Sequence, residues 1–183
     1  LPSHRCVLCT SVLASSRKRT AVTNFATSLA YNCLFAPCTQ VDVRSNNLDA
    51  NVGQLFIPII EKPHFESFSG IPVKKIRDNA ISEIDVKGVE DSKLEACGGV
   101  ILAHCLKSNS SVTVVAVSSN NLGVEGGKAL AECLKSNNTI TKVCSACIGA
   151  RKLQTACSGE FLSKSLMITN VSLICTGRSF WLC

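Results

Sequence analysis

Apolar residues along the chain follow two alternating rhythms. In Val41-Asp42-Val43, Ile84-Asp85-Val86 and Val115-Ala116-Val117 the apolar residues fall on every second position, the period of a short strand that turns one face to a core. From Leu94 to Leu106 and from Val124 to Leu134 they return at helical intervals: Leu94, Val100 or Ile101, Cys105, then Val124, Leu130, Cys133, Leu134. Good helix formers fill the gaps. The pattern predicts strands starting near Cys38, Phe65, Ile81, Val112, Ile140 and Val171, with a helix after most of them. Phe25-x-x-x-Leu29-x-x-x-Cys33 reads as one more helix leading into the Cys38 strand. The interval from Phe65 to Asn79 is too short for strand, turn and helix, and with Gly70 and Pro72 it reads as a strand and loop without a helix. Pro58 and Pro63 shorten or kink the helix after the first strand.

The same segments repeat. Ala103-His104-Cys105-Leu106-Lys107-Ser108-Asn109 recurs as Ala131-Glu132-Cys133-Leu134-Lys135-Ser136-Asn137, and Gly98-Gly99 recurs as Gly126-Gly127 at the same shift of 28 residues. Val41-Asp42-Val43-Arg44-Ser45-Asn46-Asn47-Leu48 returns as Val115-Ala116-Val117-Ser118-Ser119-Asn120-Asn121-Leu122. Cys38-x-x-Val41-x-Val43-x-x-Asn46-x-Leu48 and Val112-x-x-Val115-x-Val117-x-x-Asn120-x-Leu122 share one template, and Ile81-x-x-Ile84-x-Val86 is a shortened third copy. In each the Asn can bond backbone groups of the turn that follows the strand. A strand, turn and helix of this size cannot bury its apolar face alone and must stack on a neighbour.

The stretch Ser119-Asn120-Asn121-Leu122-Gly123-Val124-Glu125-Gly126-Gly127-Lys128-Ala129-Leu130-Ala131-Glu132 resembles the leucine-rich repeat family, and within it the ribonuclease-inhibitor-like subclass found in NOD-like receptors and Ran GTPase-activating proteins. The resemblance is closest over 81–140 and extends to 36–55. It implies an α/β fold: a short and partly degenerate leucine-rich repeat solenoid, with a curved parallel sheet and outer helices. Residues 36–183 then hold irregular repeats that degenerate toward the C-terminal end, where Ile140-x-x-Val143 is followed by no Asn in the expected place. Residues 1–35 form an N-terminal cap or partial repeat. The other reading of that segment is a targeting peptide, because the first forty residues are free of acid, rich in Ser and Thr, and carry Arg17-Lys18-Arg19 after an apolar run. Leu1 in place of Met and the apolar Phe180-Trp181-Leu182 before Cys183 open the reading that both ends are cuts through a longer polypeptide, and so a fragment without independent function.

Composition narrows the function class. At 183 residues with 46% hydrophobic and 17% charged residues, the chain can pack a core. It has no apolar run long enough to span a membrane. The net charge of +6 is misleading, because Arg5, Arg17, Lys18 and Arg19 all precede the first acidic residue. The remainder is nearly neutral and carries no nucleic-acid footprint. No Ser/His/Asp grouping or paired carboxylates fall on matching elements, so an enzyme is not expected.

Twelve Cys is an unusual number. Cys105 and Cys133 share one repeat position and Cys38 stands where the strand template needs an apolar residue, so the thiols read as small buried hydrophobes in a reducing, cytoplasmic setting. The pairs Cys6/Cys9 and Cys144/Cys147 have a spacing that suits zinc. They lie in different repeats, read as unrelated thiols, and imply no metal or cofactor. His104 has Glu132 as its repeat equivalent and is expected to be solvated. Gly123-Val124-Glu125-Gly126-Gly127-Lys128 is one residue short of a phosphate-binding loop and is followed by Ala129 rather than Ser or Thr. Asn109, Asn137 and Asn170 begin Asn-x-Ser/Thr sequons, and the first two are read as turn asparagines.

The strands' outward residues are the candidate site. They are Gln40, Asp42 and Arg44; Glu83, Asp85 and Lys87; Val114, Ala116 and Ser118; and Lys142, with Cys144 and Ala146 beyond it. This concave face is charged at one end and apolar at the other, which suits recognition of another protein with salt-dependent contacts at the charged end. The expected function is an interaction module, a scaffold or the sensor part of a larger regulator. The alternatives are a GTPase-activating regulator of the Ran-directed type and a zinc or redox protein.

Overall fold

Short strands and helices alternate in a computed structural model of the chain, which describes residues 4–7, 16–35, 38–86, 93–144 and 172–173. In order they are β1 (His4–Val7), α1 (Ser16–Phe35), β2 (Cys38–Asp42), α2 (Ala50–Ile60), β3 (Ser67–Phe68), α3 (Val73–Arg77), β4 (Glu83–Asp85), α4 (Glu95–Lys107), β5 (Val114–Ala116), α5 (Gly123–Ser136), β6 (Lys142–Cys144) and β7 (Ser172–Leu173). The strands from β2 onward lie within two residues of the starts read from the alternation. That alternation gives no signal for β1. The loop expected before Asn79 contains, in addition, the five-residue α3. Pro58 sits inside α2, which ends at Ile60.

All named strands pair in parallel and in chain order, but in two sheets, β1-β2-β3 and β4-β5-β6-β7. The single continuous sheet expected from the repeats is therefore interrupted. The cause is local. On one side β3 meets β2, with Ser69 N–H donating to the Val41 carbonyl at 2.7 Å. On the other, Phe68 exchanges both backbone bonds with Ile71, at 3.0 and 2.7 Å, after the chain reverses through Gly70 at φ +85. Ile71 thus occupies the edge that β4 needs.

In the second sheet Ile84, Val115 and Val143 stand side by side in register, and all three are buried. Beneath the first sheet Phe56 and Phe68 pack with ring centroids 5.1 Å apart. One apolar cluster runs from Ala26 to Val143 under both sheets. The helices approach closely where they are small: a Cβ on Gly99 would lie 2.9 Å from the Gly126 Cα, and one on Gly53 would lie 2.8 Å from the Cys97 carbonyl oxygen. The repeated Gly-Gly pairs thereby let α4 and α5 touch backbone to backbone, while α2 packs on α4 past the short α3.

Asparagines tie the turns together. The buried Asn137 donates from Nδ2 to the carbonyls of Leu106 and Asn109 at 2.7 and 2.9 Å, and its Oδ1 accepts from Thr139 and Ile140 N–H. Its equivalent Asn109 donates to the Ile76 carbonyl at 2.6 Å and accepts from Ser111 and Val112 N–H. Both side-chain amides are consumed inside the fold, so neither sequon is open to a glycan; Asn170 lies outside the described residues.

Candidate interaction face

The period of two divides each strand between core and solvent. In β4 the burial runs exposed, buried, exposed across Glu83, Ile84 and Asp85. Register aligns Glu83 with Val114 and Lys142, and Asp85 with Ala116 and Cys144. Neighbouring strands lie about 4.8 Å apart, so the backbones of Glu83 and Lys142 are about 10 Å apart with Val114 between them. The result is a strip with an acidic edge, a small apolar centre and a basic edge. Val114 and Lys142 are half-buried. Ala116 departs from the expected exposure: on the middle strand its single methyl is recessed to 8% exposure, although it stands outside the core cluster. Ser118 is half-buried just past β5, and Lys87 and Ala146 lie outside the described residues.

The other expected residues belong to the first sheet. Arg44 clasps Asp42 at two points, Nε to Oδ1 at 2.9 Å and Nη2 to Oδ2 at 2.6 Å. The hydrogen bond to Asp42 raises the Arg44 pKa, and burial opposes it. Gln40 donates to the Glu66 carboxylate at 3.2 Å, a partner for which the sequence holds no periodic signal. Because β3 and β4 do not pair, Asp42, at the end of β2, and Arg44 just past it belong to a different sheet from Glu83 and Asp85. Sequence reading also missed a hydroxyl row at the strand starts, where Thr113 Oγ1 donates to the Ser82 carbonyl and Thr141 Oγ1 to that of Thr113. The equivalence of Thr113 and Thr141 at the repeat shift is the signal that could have found it.

The other candidate chemistries fare differently. Cys33 and Cys38 are buried, and Cys97, Cys105 and Cys133 are free thiols. Burial pushes Cys97 and Cys105 up to about 12 and Cys133 up to about 11. Such thiols are weak nucleophiles and reluctant ligands. Among the described residues no three His, Cys, Asp or Glu side chains gather closely enough to hold a metal ion. Cys9 and Cys147 lie outside the described residues, and the strands carrying Cys6 and Cys144 belong to different sheets. His104 Nε2 lies 3.1 Å from Glu61 Oε1 at the surface. Lys128 pairs with Glu125, and Gly126 is packed against Ala96 of α4, so the glycine-rich stretch serves helix packing. On the helix side, the shortness of α3 leaves a cleft of about 220 Å³ lined by Ile60, Ile76, Arg77, His104, Cys105 and Asn109 among others. Arg77 Nη1 and Nη2 there donate to the Lys62 and Phe65 carbonyls at 2.5 and 2.6 Å, while its buried Nε has no hydrogen-bond partner among the described residues.

No protein-family model matches the chain, and no curated protein matches it. Among solved structures it is similar to leiomodin-1 actin-binding site 2, at 16% identity, over 87% of this chain and 80% of that one, with a TM-score of 0.38. Among the described residues no helix is long and apolar enough to cross a membrane.

Proposed function

We propose that the chain is a protein–protein interaction module built from leucine-rich repeats of the ribonuclease-inhibitor-like kind, with the outward strand face as its binding surface. The observation that carries this reading is the aligned row Glu83–Val114–Lys142, flanked by Asp85–Ala116. Opposite charges on the two edges select partner orientation, and the apolar centre supplies area that can be desolvated. The buried free thiols of Cys97 and Cys133 favour a reducing, cytoplasmic setting.

The test is site-specific crosslinking. A photo-crosslinking residue at Val114 should give a discrete adduct with one partner, lost on Glu83→Lys or Lys142→Glu in a chain that remains folded. The same residue at Glu132, on the exposed side of α5, should give none. Equal adducts from both positions, or adducts indifferent to the charge reversals, would remove the strand face as the binding surface.

A further inference from the structure

Glu95, the first residue of α4, has φ +57. This left-handed region crowds the Cβ of any residue that has one, and glycine enters it freely. The position equivalent to Glu95 in the next repeat is Gly123, at φ +63. The chain thus uses glycine once for this turn and glutamate once. What the glutamate adds is an acceptor. Its side chain is buried, at 8% exposure, and Oε2 accepts from the Leu48 N–H at 3.0 Å.

Leu48 belongs to the turn after β2, in the first sheet. The Glu95 N–H donates to the Asn120 carbonyl at 2.9 Å, in the turn after β5 of the second. One residue therefore bonds both sheets' turns, across the place where β3 and β4 fail to pair. Its neighbours extend the link: Ser45 N–H donates to the Lys93 carbonyl and Lys93 N–H to Ser45 Oγ, both at 3.0 Å, and Cys97 N–H donates to the Leu48 carbonyl at 3.3 Å.

We propose that Glu95 is a conformational clamp, whose buried carboxyl oxygen holds the turn 45–48 of the first sheet against the start of α4 and fixes the two sheets in one relation. The clamp stands whether or not the strand face binds a partner. Burial raises the Glu95 pKa, while N–H groups of Asn47, Leu48 and Asn46 and the charge of Lys93 pull it back. Among the described residues, the Cys97 thiol is a titratable neighbour whose pKa both Glu95 and Asp49, the cap of α2, raise. The acceptor, more than the negative charge, is what the turn uses.

Amide hydrogen exchange on the full chain tests this. Glu95→Gly keeps the backbone conformation and removes the acceptor; Glu95→Asn also tolerates the left-handed backbone and falls one methylene short of the turn. In either variant, exchange at Ser45 and Leu48 should accelerate tenfold or more, while Val86, bonded to the Ala116 carbonyl within the second sheet, stays within about threefold of its original rate. Glu95→Gln, which retains an acceptor, should stay within about threefold at all three positions. The clamp is overturned if Ser45 and Leu48 are unchanged in both shortened variants, if exchange rises evenly over both sheets, or if Glu95→Gln opens the turn as far as Glu95→Gly.

Discussion

Removing the Asn137 side chain should cost a large share of the molecule's stability. Asn137→Ala deletes four hydrogen bonds at once, two donated to the Leu106 and Asn109 carbonyls and two accepted from Thr139 and Ile140 N–H, at 2.7 to 3.1 Å. The site is 4% exposed, so water replaces them poorly. At roughly 1 kcal/mol net per bond the four bonds come to about 4 kcal/mol, before any penalty for backbone groups left buried and unpaired. That compares with about 5–15 kcal/mol for a whole domain. Asn137→Asp should be worse near neutral pH, because it keeps the acceptor half and sets a carboxylate against two carbonyl oxygens. Its folded pKa is then raised above the ordinary value of about 3.9, so stability is greatest below that value and falls as pH rises through the folded pKa. The control is Asn138→Ala, at the exposed neighbour, which should stay within about 0.5 kcal/mol. Urea denaturation followed by circular dichroism measures all three. A loss below about 1 kcal/mol for Asn137→Ala, or equal losses at 137 and 138, would refute the asparagine accounting.

Four further outcomes are expected. Gly99→Val should destabilise by about 1–3 kcal/mol in thermal melts, because a Cβ 2.9 Å from the Gly126 Cα forces α4 and α5 apart. Native-state labelling at Cys97 and Cys133 should stay slow even at pH 8.5, since burial holds their pKa values up to about 12 and about 11, and should become fast in denaturant; fast native labelling of these two would contradict their burial. Reversing Glu83 or Asp85 should move the urea midpoint little, within about 0.5 kcal/mol, whereas Val117→Asp should unfold the chain; the opposite result would shift the strand register by one. Because burial raises the Glu95 carboxyl above its ordinary 4.5, its contribution is fully present below that pH and declines as pH rises through the folded value. The stability difference between wild type and Glu95→Gln, measured at pH 4.5 and 7, should change in that direction.

The strands β2, β4 and β5 were legible because the period-two pattern survives in their three copies. The starts of α4 and α5 were legible to within a residue of Leu94 and Val124, and the repeated Gly-Gly pairs fall where the two helices touch, at Gly99 and Gly126. The sheet break was not legible. It depends on Phe68 spending both backbone bonds on Ile71, and backbone pairing of this kind leaves no mark in hydrophobicity. The outward direction of Glu83 and Asp85 followed from the pleat, while the recess of Ala116 followed from neighbours on other strands. Glu95 lay hidden for a third reason. In the sequence it is an ordinary first-turn acid, and only the equivalence with Gly123 hints that its backbone is unusual.

The turn that closes β3 bears on how the chain finds its fold. Residues 103–109 and 131–137 are nearly the same heptapeptide, and strands that follow one template can mate with the wrong copy one unit away. Most bonds between the stacked units span only 26 to 34 residues, so assembly can begin at any neighbouring pair and errors can start there too. The Phe68–Ile71 hairpin spans four residues and closes on the timescale of a short loop, well before distant segments meet. Once formed, it withdraws the edge of β3 from every later strand, so a mispaired copy of β4, β5 or β6 cannot propagate into the first sheet.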